Sequence, residues 1–404
     1  MPRSKASATR KPVRRKASTP AKKAAGTLAL LVGTRKGAFI LRGDKTRRTW
    51  DLSDGMYVGN IVHHMVMDPR DGQTILMAVR TGHLGPTIFR STDMGGSWTE
   101  STQPPAFPKA PEGQRGQVLD HNFWLAPGHP SEPHVWYVGT SPPALFRSED
   151  DGMTWQGVRG FNNHPNYAQW AGPAQEGPPD GSTLHSIMID PRDPKHMYIC
   201  LSATGSGVFE STDQGADWKP LNKGLNCEEI GVPLDAEVGA EPHCMRIHPV
   251  NPDRMYQQSH CGAYRMDRAE GVWVRMGENL PKENDISDYS FPIVLHPRDP
   301  DTVWLLPLDG GFPLGRVTPN GKPATYITRD GGQTWKRQDK GFPKHDAWFS
   351  LKRQAMSVDS REPVGVYFGT TGGEVWASRD EGKSWTQIAH SLPEIYSVEV
   401  AEQA

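Results

Sequence analysis

Four histidines in this chain recur at one fixed distance from a repeated turn. Counting back six residues from the proline of each turn gives His63 before Pro69, His121 before Pro127, His185 before Pro191 and His243 before Pro249. The next two repeats place Phe291 and Gln354 at that position. Imidazole titrates near neutral pH and is the commonest protein metal ligand. A set made of imidazoles alone suits a divalent transition metal such as Fe, Cu or Zn. If the four rings share one point, an open coordination position would give Lewis-acid or redox chemistry on a small-molecule substrate. Metal-bound imidazoles need acceptors behind them, and Asp120, Glu237 and Glu241 precede or flank the column. His83, His260 and Cys261 fall where they could add ligands or touch substrate. The alternative is that each ring hydrogen-bonds to its neighbours and holds no metal.

A repeat must position these side chains. The stretch "STDMGGSW" at 91–98 returns as "SEDDGMTW" from 148, "STDQGADW" from 211, "TRDGGQTW" from 328 and "SRDEGKSW" from 378. Worn copies stand at 265–273 ("RMDRAEGVW") and 42–50 ("RGDKTRRTW"). In a hairpin turn the Asp accepts turn amides, the Gly takes a backbone angle other residues resist, and the Trp packs between sheets. Each such box is preceded by a Gly-flanked strand, a β-rich strand and an apolar strand ending in a turn like "DPRDP". The unit is four antiparallel strands, and repeated units of this kind close radially. The first unit lacks its leading strand, and "IYSVEVAE" at 395–402 is a strand without a unit. The expectation is an all-β, seven-bladed β-propeller over 27–404, its ring closed by that C-terminal strand. Each histidine then sits where an innermost strand begins, at the mouth of the central channel opposite the boxes. The long loops entering the inner strands, 160–183 and 227–242, open on the same face.

The boxes resemble the Asp-box (BNR) repeat family, which includes sialidases, sortilin-type domains and a photosystem II assembly factor. The resemblance covers about residues 27 to 402 and implies the propeller fold. Its members are hydrolases, receptors and assembly factors alike, so the activity must come from the site. A sialidase site would need an arginine triad, a Tyr–Glu pair and a Phe/Tyr-Arg-Ile-Pro motif, whereas the first blade reads "AFILRGDK". Three readings follow: a metalloenzyme at the histidine column, a sialidase-like glycoside hydrolase, and a non-catalytic scaffold for glycan or protein. For the second, Asp235, Glu237, Asp285 and Asp288 are candidate acids.

Composition sets the outer bounds. The 404 residues include 42 Gly, 36 Pro and 13 Trp, which fits short strands and tight turns. No apolar run approaches the roughly 18 residues that span a bilayer, and the N-terminus lacks a signal peptide's apolar core, so no membrane contact and a cytoplasmic protein are expected. Four cysteines in so long a chain are no disulfide framework. The near-zero net charge conceals a split: residues 1–26 carry nine Lys or Arg and no acid, leaving 36 basic against 46 acidic residues in the body. That tail cannot bury a core, and is expected to be a disordered extension able to touch a polyanion.

Overall fold

The computed structural model describes residues 28–82, 85–114, 116–172, 181–202, 205–234, 236–281, 286–309 and 316–403. The basic tail and His83 lie outside them. Seven four-stranded antiparallel sheets make up the molecule. Their innermost strands are Ile395–Glu402, Ile61–Met67, His121–Pro127, Thr183–Asp190, Pro242–Ile247, Ile293–Leu295 and Met356–Val358, for blades 1 to 7. Each touches the next, and the seventh returns to the first. The fold is a seven-bladed β-propeller, as the repeats require.

Ring closure is the C-terminal strand's work. Ile395–Glu402 pairs antiparallel with Leu28–Thr34, from Leu28 opposite Glu402 to Gly33 opposite Ser397. Ile395, Val398 and Ala401 are buried in it, so the first and last residues of the propeller share one hydrophobic core. No helix among the described residues is long and apolar enough to cross a membrane.

The boxes are built as the residue types predict. In blade 2, Asp93 accepts the Ser97 amide at 2.8 Å and the Ser91 hydroxyl at 2.8 Å, while the Gly95 amide donates to Ser91 Oγ at 2.9 Å. Gly95 has φ +84°, the left-handed conformation this turn requires. The same bonds recur around Asp150, Asp213, Asp330 and Asp380. Trp155, Trp218, Trp335 and Trp385 are buried between blades.

One feature of the inner strands has no sequence signature. Blades 2 to 5 each carry a β-bulge close to the histidine, with register slips at Val62/His64, Asn122/Trp124, His185/Met188 and Pro242/Cys244. The extra residue is His63 in blade 2 and His243 in blade 5. In blade 3 it is Phe123, two residues past His121. A bulge bends its strand and re-aims side chains.

Candidate functional site at the channel mouth

The bulges decide where the column goes. A one-residue slip turns a side chain to the other face of a strand, so equal spacing from the closing turn does not give equal placement. His63 and His121 lie face to face, ring centroids 4.1 Å apart and planes 13° apart, with Tyr396 stacked on the far side of His63 at 5.3 Å. Phe123 stands 5.7 Å from His121 and 6.4 Å from His185, a wedge between the two. His243 packs 4.6 Å from Phe291, the residue at the column position of blade 6. The four rings therefore form a stack, a lone ring and a separate cluster. Nitrogen lone pairs lie in the ring plane, so the stacked pair cannot aim at a common point between their faces.

Electrostatics at the mouth follow burial. His63, His185 and His243 have pKa values well below the ordinary 6.5, chiefly through burial and then through nearby His121, Arg353 and Arg353 respectively. All three are neutral at pH 7. Nε2 of His63, His121 and His185 is buried with no hydrogen-bond partner among the described residues. Cations sit over the neighbouring rings: Lys352 over Tyr396 at 5.3 Å, and Arg316 and Arg353 over Phe291 at 5.6 and 5.4 Å.

The flanking residues separate in the same way. Asp120 accepts from His121 Nδ1 at 2.7 Å and from Arg80 at 2.7 Å. The His121 bond, with Arg80 adding to it, holds its carboxyl below the usual range despite partial burial. Glu237 is exposed, and its carbonyl accepts from Asn222 Nδ2 at 2.8 Å. Glu241 and His260 meet beside His243, His260 Nδ1 lying 3.4 Å from Glu241 Oε2. Cys261 is buried; the Cys227 thiol beside it, and then burial, push its own thiol pKa up. Asp288 has its carboxylate engaged by Arg275 at 2.8 and 3.0 Å and by the Ala263 amide at 3.2 Å, a structural tie. Asp235 and Asp285 lie outside the described residues.

Two further features were not singled out by spacing. The first is His64, next to His63: it is buried, takes the Leu125 amide on Nδ1 at 2.9 Å and therefore donates from Nε2 to Glu399 at 3.1 Å. Arg246 lies 4.0 Å from Glu399 and 5.0 Å over Trp124, completing a polar cluster inside the channel. Below it the channel widens into a cavity of about 500 Å³ at the closing-turn end, lined by Met67, Ile247, Leu295, Val358 and Val400 among others. The second feature is apolar: Val58, Val118, Ile230, Leu234 and Trp348 are exposed, and each belongs to a loop that enters an inner strand. Trp348 is 61% exposed. Its neighbours are clamped, Ala347 N–H to the Gly321 carbonyl at 3.0 Å, Thr318 Oγ1 to the Ala347 carbonyl at 2.7 Å and Phe349 N–H to Thr318 Oγ1 at 3.1 Å.

Comparison with known proteins adds what the geometry does not carry. The chain is similar to xyloglucanases. It is 25% identical over 301 residues to a xyloglucanase of a Paenibacillus species, covering 70% of this chain and 27% of that one. It is 24% identical over 325 residues to xyloglucanase Xgh74A of Acetivibrio thermocellus, covering 73% and 35%. It thus spans only about a third or less of the length of these relatives. The solved GH74 xyloglucanase of Xanthomonas campestris superposes with a TM-score of 0.61 at 18% identity, covering 92% of this chain and 52% of that one, a likeness of fold. The BNR/Asp-box repeat model matches residues 326–337.

These relatives correct two expectations. They are named for a polysaccharide, which overturns the reading of a metalloenzyme acting on a small molecule at His63, His121, His185 and His243. Within the Asp-box resemblance, they also point to xyloglucanases and not to sialidase-like or sortilin-like proteins. The bulges distribute the rings of the shared histidine position to different partners.

Proposed function

We propose that this chain is a polysaccharide-directed propeller, glycoside hydrolase in kind, which takes a xyloglucan-like chain across its loop face. The observation that carries this reading is the match over about 70% of the chain to proteins named xyloglucanases. The loop face supports it: a polysaccharide offers flat apolar sugar faces alternating with hydroxyls, and Trp348 is an exposed indole whose chain neighbours are clamped. Long loops on a rigid frame are where binding residues concentrate. Hydrolysis would need two carboxyl groups flanking the scissile bond, about 5–5.5 Å apart for retention or about 6.5–9.5 Å for inversion.

The test is native gel electrophoresis through gels containing xyloglucan or other β-glucans, alongside a reducing-end assay on the same polymers. Retardation by xyloglucan with reducing ends rising in time is expected. Retardation alone would leave a glycan-binding protein and remove the hydrolase. Unaltered mobility in every polymer would overturn the proposal.

A further inference from the structure

His243 parts from the other column histidines to join two groups that can ligate a metal. The ligand atoms of Glu241, His243 and His260 all lie within 4.8 Å of one another, and no other three such groups do so among the described residues. His243 enters as the bulged residue of its strand, and Glu241 two residues before it ends the long loop of blade 5. His260 stands in the turn between the second and third strands of the same blade.

Each donor is prepared from behind. His243 Nδ1 is 2.6 Å from the Ser290 carbonyl. A carbonyl only accepts, so Nδ1 carries the proton and the Nε2 lone pair is free. This is the usual arrangement behind a metal-bound imidazole. Glu241 holds φ +39°, a strained conformation for a residue with a side chain. Its amide donates to Ser206 Oγ at 3.0 Å and its carbonyl accepts from His260 N–H at 3.0 Å, which fixes the carboxylate beside the turn. His260 Nδ1 faces Glu241 Oε2 at 3.4 Å and makes no well-formed hydrogen bond among the described residues. Tyr289, 3% exposed, presents its ring edge-on to both imidazoles at 5.2 Å, and its hydroxyl has no hydrogen-bond partner among the described residues. A buried phenol hydroxyl with no partner costs free energy unless something occupies the space beside it.

We propose that Glu241, His243 and His260 form a divalent transition-metal site, Zn(II) by preference, with Tyr289 beside its fourth position. Two imidazoles and one carboxylate are a standard zinc donor set, at about 2.0–2.2 Å from the ion. Donors up to 4.8 Å apart reach that geometry by turning the Glu241 carboxylate and the His260 ring, both part-exposed. The site differs from the four-histidine column, which contributes a single ligand. It goes beyond the polysaccharide reading and stands or falls separately.

The experiment is titration of the full chain, without an affinity tag, with Zn(II) by calorimetry and with Co(II) by visible absorption. One equivalent is expected to bind at micromolar or better affinity, and to raise the melting temperature. Glu241→Gln, close in shape, and His260→Ala, in a turn, should keep the far-ultraviolet spectrum and weaken Zn(II) at least about tenfold, as loss of a ligand does. His121→Ala should leave binding unchanged. Absence of stoichiometric uptake at micromolar Zn(II), equal affinity in Glu241→Gln and His260→Ala, or loss in His121→Ala would each overturn the site.

Discussion

Two adjacent histidines in the inner strand of blade 2 have opposite fates. His63 is stacked in an apolar column with a bare Nε2, while His64 bridges a strand amide and a carboxylate. Replacing His64 by Ala leaves the buried Leu125 amide without an acceptor, which costs about 1–3 kcal/mol. Denaturant unfolding should show that loss, and a variant as stable as the parent would refute the assignment. The buried neutral rings also set a pH dependence. His63, His185 and His243 have folded pKa values below the ordinary imidazole value. The unfolded chain therefore takes up protons that the folded one refuses, and the stability these rings contribute is full above about pH 6.5 and declines as pH falls toward their folded values. Scanning calorimetry from pH 7 to 5 should show a falling melting temperature, with a shallower slope in His185→Gln. A flat profile would mean that these rings are solvated. A second decline belongs below about pH 4. There the box carboxylates Asp93, Asp150, Asp213, Asp330 and Asp380, lowered by turn hydrogen bonds that outweigh burial, finally protonate.

At the scale of elements, the closing strand carries the clearest consequence. Ending the chain at Glu394 removes Ile395, Val398 and Ala401 from the core and bares the edge of Leu28–Thr34. Each large apolar side chain so lost is worth about 1.5–3 kcal/mol, and an open apolar edge invites pairing between chains. Aggregates on size-exclusion chromatography are expected; a monomer with the parent melting temperature would show that the ring does not need the strand. This much of the architecture was legible in sequence, because box turns and orphan strands obey local rules. The same holds for His248 and His296, which take the place that Asp68 and Asp190 have in other blades. Each accepts turn amides on Nδ1, His248 from Asn251 at 3.1 Å and His296 from Asp299 at 3.0 Å. What could not be read was the site. Bulges depend on pairing between strands far apart in the chain, and a slip of one residue separates His121 from His185 by the Phe123 ring. Glu241 and His260 could be named as neighbours of the column, but their meeting beside His243 needs the bulge and the strained φ of Glu241.

The whole molecule has two unlike ends. The box end is short turns around a cavity, whereas the other end gathers long loops and most of the exposed apolar side chains of the described residues. A rigid ring holds these loops at fixed distances, so a polymer crossing this face would meet Trp348 without first ordering it. The clamp by Thr318 and Gly321 matters here, because a preset platform loses little entropy on binding. Trp348→Ala removes the exposed indole and leaves the buried Phe349 and Phe342 in place. Covering one large apolar side chain contributes about 1.5–3 kcal/mol, so retention by xyloglucan should fall roughly 10- to 100-fold. The matched control is Val250→Ala, an exposed apolar residue in the closing turn of blade 5 at the opposite end. Affinity electrophoresis of the two variants separates the faces. Weakening by Trp348→Ala alone places the polysaccharide on the loop face, and weakening by Val250→Ala alone would move it to the other.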